Sequence, residues 1–277
     1  MINRKEKNMK KQHFFLINWK RWGLKIFFFL LGLYIFTFGL SLYLPTAVGV
    51  MHLDFTIYAV LMVWKGIYPD GTLDTTVSNG TVHWLVLGIY FAILMLFSFS
   101  FATIGAYRKY QITKEKKEFN LLWTVLIMDL IIVFLEPFML QFHELYLTPT
   151  IANKIKNSPY TIRMWIFLAG FLLNAIGDAI WLKSNLFLGP YNSICINFQK
   201  MSNWKFVNAR IFLDFCIILP GIIITLSTNT ISWDLKGKFF LNYVNLGTIA
   251  FIFAFGPIVH LLLNQFDKWL PHKNKLN

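Results

Sequence analysis

Apolar residues along this chain fall in long unbroken runs. They show neither the two-residue alternation of a half-buried strand nor the single apolar stripe of a soluble surface helix. Six runs approach the roughly 20 residues that a helix needs to cross a bilayer. They extend from about Ile26 to Leu44, Val82 to Ile104, Leu121 to Leu140, Met164 to Leu182, Val207 to Leu226 and Tyr243 to Leu263. Two shorter pieces, Phe55 to Trp64 and Ser193 to Trp204, are about half that length and read as half-helices or interfacial segments. Each follows a break. The first span stops at Pro45, and the fourth runs into Gly189-Pro190, a pair that does not continue a helix comfortably. Tyr68 to Asn79 has the turn chemistry of a loop, and Gln141 to Arg163 is a mixed loop. The pattern predicts an all-α, polytopic membrane protein of about six transmembrane helices.

Charge adds topology. The formal net charge is +13 and 56% of residues are hydrophobic, 29 of them Phe. A soluble chain so basic would point to nucleic acid. Here the bases stand in the tails and between apolar runs, as in cytoplasmic loops, so no nucleic-acid partner is expected. Residues 1–25 carry eight Lys or Arg against Glu6, and the segment from Arg108 to Lys117 adds five more. These two segments set both termini on the cytoplasmic side of a cell membrane, with the bilayer as the first partner. Trp19, Trp22, Trp204 and Trp269 are expected at the interfaces. The first run is too long for a cleaved signal peptide and lacks a small-x-small site, so it reads as a retained span. The chain then divides into a basic tail (1–25), a first membrane repeat (26–142), a connecting loop (143–163), a second repeat (164–265) and a cytoplasmic tail (266–277).

The repeat is seen by sliding the chain on itself by 138 residues. Gly32 falls on Gly170, Gly39 on Gly177, Leu44 on Leu182 and Asp54 on Asn192, without a gap from Leu31 to Asp54. Each copy is a glycine-spaced span, a break, a half-length piece and two further spans. Three spans is an odd number, so the second copy is expected to enter from the opposite side, giving an inverted-topology repeat. If the short pieces also cross, the repeat is parallel.

At these residues the chain resembles the YczE/YyaS/YitT family of bacterial integral membrane proteins. The resemblance rests on Gly170 and Gly177, on L-F-L-G-P-Y-N from Leu186 to Asn192, on A-R-I-F-L-D from Ala209 to Asp214, and on the Gly-Thr-rich run from Leu246 to Pro257. In the first half, Val48 to Asp54 keeps the glycine and the acid, but His52 and Leu53 stand where the pattern has proline and an aromatic. The resemblance implies a multi-pass protein of the cell envelope, for which transport is a common expectation.

Charges inside membrane spans mark function by default. Asp129 lies near the middle of span three, and Asp178 near the middle of span four with Asn174 one turn earlier on the same face. Asp54 and Asn192 follow the two breaks. With Arg210 and Asp214, an i,i+4 pair along span five, they form the candidate solute or ion pathway. Each has a bland alternative in a hydrogen bond or ion pair that only holds helices together. Glu136 reads equally well as an outer-surface residue. Gly32, Gly39, Gly170, Gly177, Gly247 and Gly256 read as helix-packing positions, and Gly189 and Pro190 as the helix break. Cys195 and Cys216 have no metal-like spacing, and no metal motif or P-loop occurs, so no metal, cofactor or ATP-driven chemistry is expected. The expected function is secondary transport or export of a small solute or ion. A non-transporting accessory or regulatory protein is the alternative. An intramembrane aspartyl enzyme is a distant one, because Ala175 and Met128 break its motifs, and the chain is not expected to be an enzyme.

Overall fold

The computed structural model describes residues 2–73, 81–114, 117–147, 149–184 and 186–269. The remainder of the Tyr68–Asn79 loop and most of the C-terminal tail lie outside the described residues, as do the side chains of residues 1–21. Almost everything described is helix, and among the described residues the only β pairing is one isolated bridge, Ile67 to Leu73. The protein is an all-α multi-pass membrane protein. Five helical stretches are long and apolar enough to cross a membrane: Trp22–Thr46, Leu85–Thr113, Tyr160–Ser184, Phe206–Ser227 and Leu246–Phe266. The helix Lys117–Phe142, counted as a span from the sequence, has 26 residues but is not among those five. It carries Asp129, Glu136 and Pro137.

In chain order the helices are α1 (Ile2–Tyr43), α2 (His52–Lys65), α3 (Thr81–Thr113), α4 (Lys117–Phe142), α5 (Pro149–Lys156), α6 (Tyr160–Ser184), α7 (Gly189–Ser202), α8 (Phe206–Ser227), α9 (Trp233–Tyr243), α10 (Leu246–Ala250) and α11 (Gly256–Trp269). A π segment, Phe251–Phe255, joins α10 to α11. Several boundaries depart from the hydropathy reading. The helix α3 runs on to Thr113, because apolar periodicity does not mark where a helix leaves the membrane. The stretch Gln141 to Arg163, expected as a loop, holds α5, whose last turn carries Lys154 and Lys156 against the negative helix end. The unforeseen α9 opens with Ser232 as N-cap, its hydroxyl accepting from Leu235 N.

At the centre, α1 and α6 cross antiparallel on glycine. Gly32 lies against Gly177 and Trp181, and Gly39 against Gly170 and Asn174. A Cβ on Gly39 would stand 2.6 Å from Asn174 N, and one on Gly170 2.9 Å from Gly39 O. No larger residue fits while the helices keep this distance. Asn174 Nδ2 donates to Phe36 O at 3.1 Å across the same crossing. Around this pair, α2 packs on α8 and α3 on α7, while α4 flanks α1 and α11 flanks α6.

The half-helices are not interfacial. In α2 the residues from Met51 to Leu53, Phe55 to Ile57, Ala59, Leu61 and Met62 are all buried, so it is enclosed on most sides. Thr56 Oγ1 donates to Ile217 O at 2.7 Å, fixing α2 on α8. In α7, Gly189 and Pro190 do not form the gap that the sequence suggested. They open the helix itself, with Gly189 at φ 76° and proline in the first turn, where its missing N–H costs nothing. The gap lies just before them and is closed by Trp181 Nε1 donating to Phe187 O.

The first gap, Leu44 to Met51, is a short 3-10 turn followed by irregular chain. The start of the last span satisfies its backbone. Gly247 N donates to Val48 O at 3.1 Å, Val50 N to Tyr243 O at 3.1 Å, and Thr248 Oγ1 to Val50 O at 2.8 Å. Gly247 admits Val48 and the Phe167 ring at close range, and Gly49 holds φ 135°. Beyond α2, the loop at Pro69–Leu73 rests on α9. There Asp70 accepts from Thr72 Oγ1 and N, which holds its carboxyl below the usual range.

Candidate functional site

The first turns of α2 and α7 meet inside the bundle, and polar side chains gather between them. Arg210, on the second turn of α8, is fully buried. Its Nη2 donates to Asp178 Oδ2 on α6 at 3.0 Å, and its Nε to the Tyr191 hydroxyl at 3.1 Å. The guanidinium lies 4.9 Å from the ring centroids of both Tyr191 and Phe255. Gly256 leaves room for its stem: a Cβ there would stand 3.2 Å from Arg210 Cδ. Gly256 therefore accommodates a side chain, whereas the four glycines of the α1–α6 crossing bring backbones together.

Arg210 thus pairs with Asp178 on another helix, not with Asp214 one turn along its own. The i,i+4 expectation fails because Tyr191 comes between them. Its hydroxyl accepts from Arg210 and donates to Asp214 Oδ1 at 2.6 Å. His52, at the start of α2, packs against the Tyr191 ring, tilted by 43° with centroids 5.2 Å apart. It places Nε2 3.3 Å from Asp214 Oδ1 without hydrogen-bond alignment. Asn192 Nδ2 donates to the remaining Asp178 oxygen, Oδ1, at 2.7 Å. Asp54, on the first turn of α2, accepts from the Tyr43 hydroxyl at 2.9 Å.

Glu136 on α4 is close enough to Asp54 and Asp178 to interact with both electrostatically. Asp54, Glu136 and Tyr191 are half-buried by surface area. Five buried polar atoms in the group have no hydrogen-bond partner: His52 Nδ1 and Nε2, Asn192 Oδ1, Arg210 Nη1 and Asp214 Oδ2. Unpaired buried groups on this scale are costly, about 1–3 kcal/mol each, and collect where a ligand, an ion or water is handled. Donors and acceptors are both left open, so the site can engage a solute carrying both kinds of group. Both half-helices also turn their N-terminal ends, with their partial positive charge, toward this group.

The seven candidate residues therefore divide. Asp54, Asp178, Asn192, Arg210 and Asp214 come together. Asn174, despite sharing a helix face with Asp178, serves the α1–α6 crossing. Asp129 lies apart, within hydrogen-bonding reach of Ser98 and Ser193 on α3 and α7. There Ser98 Oγ donates to Ser193 Oγ at 2.9 Å, and Asn197 Nδ2 to Ser98 Oγ at 3.0 Å. His52, Tyr43 and Tyr191 were not among the sequence candidates, and Glu136 was left open between a functional acid and an outer-surface one. The one sequence signal for His52 was its position, 138 residues before Pro190, at the mouth of the matching break. Among the described residues no group of His, Cys, Asp and Glu could hold a metal ion.

Neither a curated protein nor a solved structure matches this chain. Residues 24–264, which hold both half-helices and every residue of the cluster, match DUF6198, a family of unknown function, and the chain belongs to that family.

Proposed function

We propose that the protein is a secondary transporter or exporter of a small solute, built as an inverted repeat of the YitT/YczE type. One observation carries this reading: two half-helices in matching positions open onto a single buried polar group with unpaired atoms. That is the arrangement by which many secondary transporters hold substrate near the membrane midplane. The packing supports the repeat. The 138-residue slide sends Gly32–Gly177 onto Gly170–Gly39, the other contact of the same crossing. Phe36 and Asn174, hydrogen-bonded across it, are themselves 138 apart. The α2–α8 contact matches α7–α3, and α1–α4 matches α6–α11. Two equivalent helices that run antiparallel are related by an axis lying in the membrane plane, which is the inverted case. The surplus of bases in residues 1–25 and around the α3–α4 junction orients both termini to the cytoplasm.

In this reading Arg210 and the two half-helix ends hold the polar end of the solute. Asp54 and Glu136, half-buried beside the cluster, couple its movement to an ion or proton. The two halves rock about the glycine crossing to expose the site to each side in turn. The test is reconstitution of the full chain in liposomes on a solid-supported membrane. Transient currents would be recorded for a panel of small organic anions, cations and zwitterions under a pH gradient. A solute-dependent current above protein-free liposomes is expected, and Asp54→Asn or Glu136→Gln abolishes it while leaving the melting curve in place. Current indistinguishable from empty liposomes across the panel would overturn transport. A stoichiometric membrane partner co-purifying with the chain would then install the accessory reading.

A further inference from the structure

Beside Asp129, and independent of the transport reading, α3, α4 and α7 enclose a cavity of about 720 Å³. That volume is in the range that takes a discrete ligand. Its features are graded. Arg108, Lys109 and Lys200 are exposed residues on its lining. Phe101, Leu122, Met128 and Leu186 contribute apolar wall. Buried Asp129, Ser193 and Asn197 supply polar lining at the other extreme. Among the described lining residues Arg108, Lys109 and Lys200 outnumber the acid Asp129, which gives a positive balance, and Arg108 Nη1 also donates to the Met201 carbonyl. The exposed aromatics Tyr107, Trp123 and Trp204 each adjoin a lining residue, which sets the opening at the depth of lipid headgroups. The basic segment between α3 and α4 places it on the side where anionic lipids concentrate.

We infer that this cavity is a binding site for an anionic phospholipid whose headgroup carries hydroxyls, of the phosphatidylglycerol kind. The phosphate lies among Arg108, Lys109 and Lys200. The headgroup hydroxyls reach the Asp129 carboxylate and its Ser193 and Asn197 neighbours, and the acyl chains leave along the apolar wall toward the bilayer. A zwitterionic lipid leaves the positive balance unanswered. A phosphate without hydroxyls gains nothing from Asp129, Ser193 and Asn197.

The test uses the full chain in neutral detergent, with tryptophan fluorescence following thermal unfolding. Phosphatidylglycerol, phosphatidic acid, phosphatidylethanolamine, phosphatidylcholine and water-soluble glycerol phosphate are titrated separately. Phosphatidylglycerol raises the unfolding midpoint at the lowest concentration, and added salt weakens the effect. Lys109→Gln and Lys200→Gln each weaken binding about fivefold, while Lys154→Gln, outside the cavity, leaves it unchanged. Asp129→Ala removes the preference for phosphatidylglycerol over phosphatidic acid. The assignment is overturned by an equal response to the zwitterionic lipids, by lysine variants that bind like the parent, or by glycerol phosphate matching the intact lipid, which makes this a site for a soluble anion.

Discussion

Arg210 shows what a single residue does in this protein. Its side chain is fully buried, and its charge is answered by Asp178, the Tyr191 hydroxyl and two aromatic faces. Removing one member of such a pair leaves the other charged and buried, which costs about 3–5 kcal/mol. Asp178→Asn is therefore expected to lower stability by that amount in detergent unfolding. Asp178→Leu combined with Arg210→Met should recover most of it, since a shape-matched apolar pair is often neutral. A single variant as stable as the parent would show that the pair is not an anchor. Both charges were legible in the sequence because intramembrane charge is rare. Their pairing was not, since residue spacing reports only on partners along one helix. The placement of Glu136 was open for the same reason, as nothing local reveals that α4 turns it toward Asp54 and Asp178.

At the scale of the elements, the glycine spacing of α1 and α6 was legible as helix packing, and the crossing uses all four glycines. Gly177→Leu is expected to cost at least about 1–3 kcal/mol, the usual range for overpacking, because backbone stands where its Cβ would go. Gly237, with nothing near it, should accept alanine silently in the same thermal assay. The half-helices were found by length, but hydropathy could not separate an interfacial piece from an enclosed one. Ser98 and Ser193 offer a check on that enclosure, since their hydroxyls are 2.9 Å apart. With Cys195 and Cys216 replaced by alanine, the pair Ser98→Cys and Ser193→Cys should oxidise to a disulfide. That product would shift on a non-reducing gel after cleavage between the two positions. Failure to cross-link would mean that α7 does not pack on α3 at this depth.

For the whole molecule, hydropathy supplied the class and most of the spans, while the surplus of bases supplied an orientation. Cysteine-accessibility mapping in intact cells tests that orientation. Positions 105–120 and both tails should be shielded from an impermeant reagent, and positions 66–80 labelled. The reverse pattern would invert the topology. What no sequence pattern conveyed is how the first break is closed, because its partners are far away in the chain. Thr248 stands 198 positions after Val50. At a synthesis rate of about 5–20 residues per second, that separation is about 10–40 s. Through that interval the carbonyl of Val48 and both backbone groups of Val50 have none of the partners that finally hold them. The newborn first half must be sheltered by the insertion machinery or by water until the last span arrives. A ribosome that stalls after Ser227 therefore releases a chain with every cluster residue made but its first break left open. In a pulse-chase experiment that chain should be cleared far faster than the full-length protein.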